Sequence, residues 1–145
     1  MRIVVQRCKR AKVSVEDKVV GAISHGLMLL VGFTEGDNST NIDYLVDKVI
    51  NLRIFDDENG VMNKSLLDVK GSILSISQFT LYADARKGRR PSYINALSGP
   101  LASKLYYEFN QKLKSQNVHV ETGIFGADMQ VDFINDGPIT ILLEK

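Results

Sequence analysis

Two short stretches of the chain look unlike ordinary scaffold, and a third is strongly basic. Ser77-Gln78-Phe79-Thr80-Leu81 sets two hydroxyls and a carboxamide where an apolar run ends. A strand end can aim backbone N–H groups and Ser or Thr hydroxyls into a pocket, as stabilisation of a developing oxyanion requires. The same residues also suit an edge strand with a wet polar face and Phe79 in the core. Asn135-Asp136-Gly137-Pro138-Ile139-Thr140 joins two further apolar runs. Gly-Pro reads there as a turn, and spacing alone favours an ordinary trans hairpin, because only about 5–6% of X-Pro bonds in folded proteins are cis. Arg86-Lys87-Gly88-Arg89-Arg90 puts four cations into five positions, a patch suited to a polyanion or simply to solvent.

Other chemistries are poorly supplied. The single cysteine, Cys8, sits in an apolar-alternating run, which excludes an intramolecular disulfide framework and a Cys-based zinc site and suits a packed thiol. His25 and His119 are far apart, each without a neighbouring ligand type, and read as turn or sheet-surface residues. There is no phosphate-cradling Gly-x-x-x-x-Gly-Lys loop, no dinucleotide Gly-x-Gly-x-x-Gly, no Gly-x-Ser-x-Gly elbow and no His-Glu-x-x-His. No metal or cofactor is expected.

The whole chain sets the limits on what these stretches can do. Its 145 residues predict one domain spanning 1–145, large enough for its own core. The formal net charge of +1 excludes a uniformly basic nucleic-acid coat, but the charge is uneven. Residues 1–12 carry five basic and no acidic side chains, whereas residues 34–70 carry eight acids against four bases. No apolar run reaches membrane-spanning length and the N-terminal one is too short for a signal peptide, so the expected compartment is the cytosol.

The elements that must position these stretches alternate between strand and helix patterns. Ile3–Gln6, Ala11–Val15 and Lys18–Ile23 read as short strands. Leu27–Phe33 is apolar throughout, as for a central strand covered on both faces. Asn38-Ser39-Thr40 offers caps for a helix with Ile42, Leu45, Val46, Val49 and Leu52 on one stripe. Asn59-Gly60 marks a hairpin, and Gly71–Phe79 reads as the next strand, followed by a polar loop from Leu81 to Pro91. Ser98-Gly99-Pro100 starts a second helix with Leu101, Leu105, Phe109 and Leu113 spaced by four. Val118–Val120, Met129–Ile134 and Ile139–Leu143 are the closing strands. The predicted class is α+β, with much antiparallel pairing.

At these residues the sequence resembles the D-aminoacyl-tRNA deacylases, also called D-tyrosyl-tRNA deacylases. The likeness runs through Gln6-Arg7, Ala11-x-Val13-x-Val15, Gly26-Leu27, Ser77-Gln78-Phe79-Thr80-Leu81, Lys87-Gly88-x-x-Pro91, Phe125-Gly126-Ala127-Asp128-Met129 and Asn135 to Thr140. Each motif alone is weak, but in this order and length they are specific together. Cys8 and Ile139 depart from the aliphatic residue and the valine more usual there, and neither touches the chemistry.

The resemblance implies a homodimer with mixed, largely antiparallel, partly barrel-like sheets and two main helices packed outside. It implies hydrolysis of the ester between a D-amino acid, or glycine, and the terminal ribose of tRNA. Ser77, Gln78, Phe79 and Thr80 would wall the pocket, with N–H groups near Phe79 and Thr80 holding the oxyanion and Gln78 orienting polar groups. Thr80 as covalent nucleophile is the rival, with no base evident beside it. A cis Gly137-Pro138 of one subunit would enter the other's pocket and meet an L-side chain with main chain. Arg86, Lys87, Arg89 and Arg90 become candidates for tRNA phosphates, with Arg7, Lys9 and Arg10 as a possible extension of that patch. Two alternatives remain: a non-catalytic tRNA-binding module, and an esterase that depends on His25 or His119.

Overall fold

The computed structural model describes all 145 residues. Eight strands and two helices follow one another as β1 (Arg2–Val15), β2 (Lys18–Ile23), β3 (Gly26–Gly32), α1 (Ser39–Asn51), β4 (Phe55–Asp56), β5 (Met62–Lys64), β6 (Ser72–Ser77), a 3₁₀ turn (Phe79–Tyr82), α2 (Gly99–Ser115), β7 (Val120–Thr122) and β8 (Gln130–Glu144). The main sheet runs β2-β1-β3-β6-β7, with β8 also pairing β1. Pairings around β1 are antiparallel, whereas β3–β6 and β6–β7 are parallel. The path nearly closes on itself. A Cβ on Gly21 of β2 would lie 2.8 Å from the carbonyl oxygen of Thr122 in β7, so the two end strands meet where only glycine fits.

Closure creates an inside and an outside, and the hydrophobic residues divide accordingly. Leu27, Leu29 and Val31 of β3 join the larger core, where Ile42, Leu45, Val46 and Val49 of α1 and Leu105, Phe109 and Leu113 of α2 cover the sheet. Met28 of β3 points the other way, into a smaller core with Cys8, Ala11, Val13, Ile23, Leu74 and Ile76. The apolar run of β3 is thus covered on both faces, as expected of a central strand. No helix is long and apolar enough to cross a membrane.

Three sequence expectations need correction. Ile3–Gln6 and Ala11–Val15 are one fourteen-residue strand, and the two C-terminal runs are one fifteen-residue strand. The basic residues at 7–10 and the Gly-Pro dipeptide lie within strands, not in turns. Against β8, Gln6 pairs with Thr140 and Cys8 with Asn135, so Arg7 alone stands opposite residues 136–139. The Gly137-Pro138 peptide inside that bulge is cis. Spacing alone favoured trans; the resemblance implied cis.

The stripe of α2 also differs from the four-residue spacing. Leu101 is 54% exposed, and the buried face consists of Ala102, Leu105, Tyr106, Phe109, Asn110 and Leu113. Steps of four overshoot the 3.6-residue turn by about 40° each, so four successive positions cannot all face one core. For α1 the expected cap is present: Asn38 Oδ1 accepts the Thr40 N–H at 2.9 Å, and Asn41 Oδ1 accepts the Asn38 N–H at 3.0 Å.

Candidate active site

The end of β6 positions the first of the singled-out stretches. The Gln78 N–H donates to the Val31 carbonyl of the neighbouring strand at 2.7 Å, holding the chain in the sheet up to that residue. The backbone then tightens into the 3₁₀ turn, where the Leu81 N–H reaches the Gln78 carbonyl at 3.4 Å. The first N–H groups of such a turn, those of Phe79 and Thr80, have no acceptor within it. Gln78 Nε2 donates to Thr80 Oγ1 at 2.6 Å, locking the two side chains together.

Beside this strand end lies a cavity of about 430 Å³, walled by Ser77, Gln78 and Phe79 on one side and Phe125, Gly126, Ala127, Asp128 and Met129 on the other. Leu97, Ser98 and Gly99 close it from the start of α2. Phe79 is 51% exposed, so it serves as wall, not core, against the plainer reading of the strand. The Phe125–Met129 segment enters no site assignment at the sequence level, although its motif is visible there. Gly126 adopts a φ of +79°, a turn conformation open mainly to glycine. Three residues earlier, a Cβ on Gly123 would lie 2.3 Å from Met129 Sδ, so a glycine there leaves room for the Met129 side chain.

Asp128 is the only ionisable residue in this lining. The cavity therefore offers amide, hydroxyl and main-chain groups, not an acid–base pair. No group of three or more His, Cys, Asp or Glu side chains is placed to hold a metal ion. Neither histidine lines the cavity: His25 sits edge-on to Phe55 at 6.3 Å, and His119 Nε2 lies 3.1 Å from Glu121 Oε1.

The remaining candidates are scattered around it. Thr80 does not line the cavity itself. Gly137 and Pro138 are exposed on β8 and are absent from the lining. Arg7, beside their bulge, is buried, donates to the Ile54 carbonyl at 2.8 Å and lies 3.1 Å from Asp136 Oδ2. It is a structural cation, with no free face for a polyanion. The basic loop is exposed and pinned at its neck by Asp84 and Ser92, which exchange backbone hydrogen bonds of 2.8 and 2.9 Å. Arg86 is engaged by Asp84 through two bonds of 2.9 and 2.7 Å, whereas Lys87, Arg89 and Arg90 form no ion pair. The Arg86 guanidinium holds the Asp84 carboxyl down to about 2.

Comparison with known proteins places this arrangement. Among curated relatives, a D-aminoacyl-tRNA deacylase of Thermosipho africanus is 58% identical over all of this chain and 97% of its own length. One of Bacillus cytotoxicus is 55% identical over all of this chain and 99% of its own. Among solved structures, the c-Myc DNA Unwinding Element Binding Protein superposes with a TM-score of 0.94 at 38% identity, covering all of this chain and 99% of that one. A probable eukaryotic D-amino acid tRNA deacylase shares the fold, with a TM-score of 0.85 at 18% identity over 98% of this chain and 97% of that one. The family model described as D-Tyr-tRNA(Tyr) deacylase matches residues 4–144. With strand end, cavity wall and Gly-Pro bulge all inside that match, the chain belongs to the D-Tyr-tRNA(Tyr) deacylase family.

Proposed function

We propose that the protein hydrolyses the ester between a D-amino acid, or glycine, and the terminal ribose of tRNA, and spares the L-aminoacyl ester. Water adds across the acyl–oxygen bond, releasing the free amino acid and restoring the ribose hydroxyl. The observation that carries this reading is the cavity itself, which joins Ser77–Phe79 to Phe125–Met129 with almost no ionisable lining. An aminoacyl ester is already activated. Positioning and oxyanion stabilisation, helped by the neighbouring ribose hydroxyl of the substrate, suffice for such a group. The Phe79 N–H, on the cavity wall, is the oxyanion donor, with the Thr80 N–H next to it in the turn at the cavity's margin, and the Gln78–Thr80 hydrogen bond orients the strand end beside them.

The same reading makes the protein a homodimer in the cytoplasm. Gly137 lies roughly 20 Å further along the strand than Val131, which lines the cavity, at the usual strand rise. That suits delivery of Gly137-Pro138 to the cavity by a second copy, not by the same chain. β8 pairs only with β1, so its outer edge is unpaired, and Ile134 and Leu142 on it are exposed. An edge this long is normally covered.

The deciding experiment compares hydrolysis of D- and L-aminoacyl-tRNA by the wild type and by Pro138→Ala. The expected result is D-selective hydrolysis, with the D-over-L ratio falling roughly tenfold or more in the variant. Equal hydrolysis of both enantiomers by the wild type overturns the proposal. His25→Ala and His119→Ala each retain turnover; loss of activity in either favours the esterase reading.

A further inference from the structure

An aromatic surface continues outward from the cavity and is left over by the proposed chemistry. Phe79, one wall of the cavity, meets Tyr93 edge-to-face with ring centroids 5.2 Å apart. Tyr93 is 43% exposed and the next residue, Ile94, is 87% exposed. Phe79 and Tyr93 in contact make a small exposed aromatic patch at the mouth of the cavity, the kind of surface that marks a binding groove when rimmed by polar residues.

The backbone beneath them is fixed. Ser92 is bonded to Asp84 in both directions, the Ala96 N–H returns to the Tyr93 carbonyl at 3.0 Å, and the Leu97 N–H reaches the Phe33 carbonyl at 2.9 Å. Thr34 Oγ1 adds a bond to the Asn95 carbonyl at 2.7 Å. Tyr93 is therefore presented on a pinned segment. Immediately before it in the chain come Lys87, Arg89 and Arg90, the cations without acidic partners.

We propose that Tyr93, braced by Phe79, is a stacking platform for the unpaired nucleotides that precede the terminal one of the bound tRNA, whose phosphates meet Lys87, Arg89 and Arg90. This inference rests on the proposed function and names how the same site holds its RNA. A ring face beside loose cations is the chemistry that binds single-stranded nucleic acid irrespective of sequence. That suits an enzyme presented with many tRNAs. The platform lies outside the cavity, so it governs affinity for the RNA and not the reaction at the ester.

The test is fluorescence anisotropy with two uncharged RNA hairpins, one ending in an unpaired 3′ tail and one blunt. The wild type is expected to prefer the tailed hairpin. Tyr93→Ala weakens the tailed complex by roughly 5- to 150-fold, the range for loss of one stacked base, and leaves the blunt one unchanged. Tyr93→Phe retains wild-type affinity, since the ring and not the hydroxyl does the stacking. Equal weakening of both hairpins by Tyr93→Ala, or of neither, overturns the platform. A fall in the sedimentation mass of Tyr93→Ala overturns it as well, because a second copy of the chain is then what covers the ring. Hydrolysis of D-aminoacyl-tRNA is measured separately. Tail-dependent binding through Tyr93 in a protein that hydrolyses none upholds the platform and overturns the activity.

Discussion

Thr80 already has a partner, and that partner is not a base. Its Oγ1 accepts the Gln78 carboxamide at 2.6 Å, and no carboxylate or imidazole hydrogen-bonds it. A nucleophile needs a group to take its proton; Thr80 has only an amide that donates to it. Thr80→Val is therefore expected to lower kcat by less than about a hundredfold, far from the loss on the order of 10⁶ that follows removal of a catalytic serine nucleophile. Single-turnover kinetics without an acyl-enzyme intermediate would agree. The basic loop divides in the same way. Arg86 is held by Asp84 through a two-point contact, whereas Lys87, Arg89 and Arg90 are free. Sequence alone counts these four cations as equivalent. Structure predicts that Arg86→Ala leaves tRNA affinity and its salt dependence nearly unchanged. Each of Lys87→Ala, Arg89→Ala and Arg90→Ala instead reduces the slope of log affinity against log salt by about 0.7–0.9. Titrations over a range of salt concentrations check both.

Strand β6 leads into the proposed catalytic turn and is held from behind by α2. The Tyr106 hydroxyl donates to the Ser75 carbonyl at 2.7 Å, while Ser75 Oγ is buried without any partner. Burying an unpaired hydroxyl costs stability. Ser75→Ala should therefore be neutral or raise stability by up to about 1 kcal/mol, while Tyr106→Phe lowers it by about 1 kcal/mol. Urea unfolding midpoints would show the opposite signs. The elements themselves were largely legible, because periodicity marks which face of a strand or helix is apolar. Their continuity was not. Ile3 and Val5 face the larger core, yet Cys8, Ala11 and Val13 face the smaller one. Strict alternation would take Cys8 to position 10, so the strand holds one extra residue between Cys8 and Ala11. β8 does likewise: Val131 and Phe133, like Met129 just before the strand, pack on the smaller core, and Ile139, Ile141 and Leu143 on the larger. The same parity on two faces requires an odd number of extra residues. In the sequence such bulges look like turns, since Lys9, Arg10 and Gly137-Pro138 are the residues that usually end strands. The cavity was half legible for a related reason: Ser77–Phe79 and Phe125–Met129 are distant in sequence, and only the closed sheet brings them together.

At the scale of the whole molecule, a nearly closed sheet with a core on each face leaves few ionisable groups inside: Arg7 and the Met1 ammonium, each beside a carboxylate, and a thiol and two phenols kept neutral. Burial pushes the Cys8 thiol up to about 11 and the Tyr82 hydroxyl to about 12. Burial also raises Tyr106. Neutral thiol and phenol suit these apolar surroundings, and their anions do not. Cys8 is then an inert packed side chain that alkylating reagents should reach only after unfolding. The consequence for stability has a definite sign. Above the ordinary thiol value of 9.0, the unfolded chain releases protons that the folded chain retains. The folded state thus binds more protons, and stability falls as pH rises. The loss begins near pH 9 with Cys8, continues above 10 as the unfolded tyrosines ionise, and for Cys8 is complete above about 11. Urea denaturation at intervals from pH 8 to pH 11 is expected to show midpoints that are level at first and then decline. Cys8→Ala lowers the plateau by leaving a small cavity, but it flattens the decline between about pH 9 and 10, where the thiol is the main group titrating. An unaltered slope in that variant would show that the thiol takes no part, and would leave the alkaline limb to the two tyrosines.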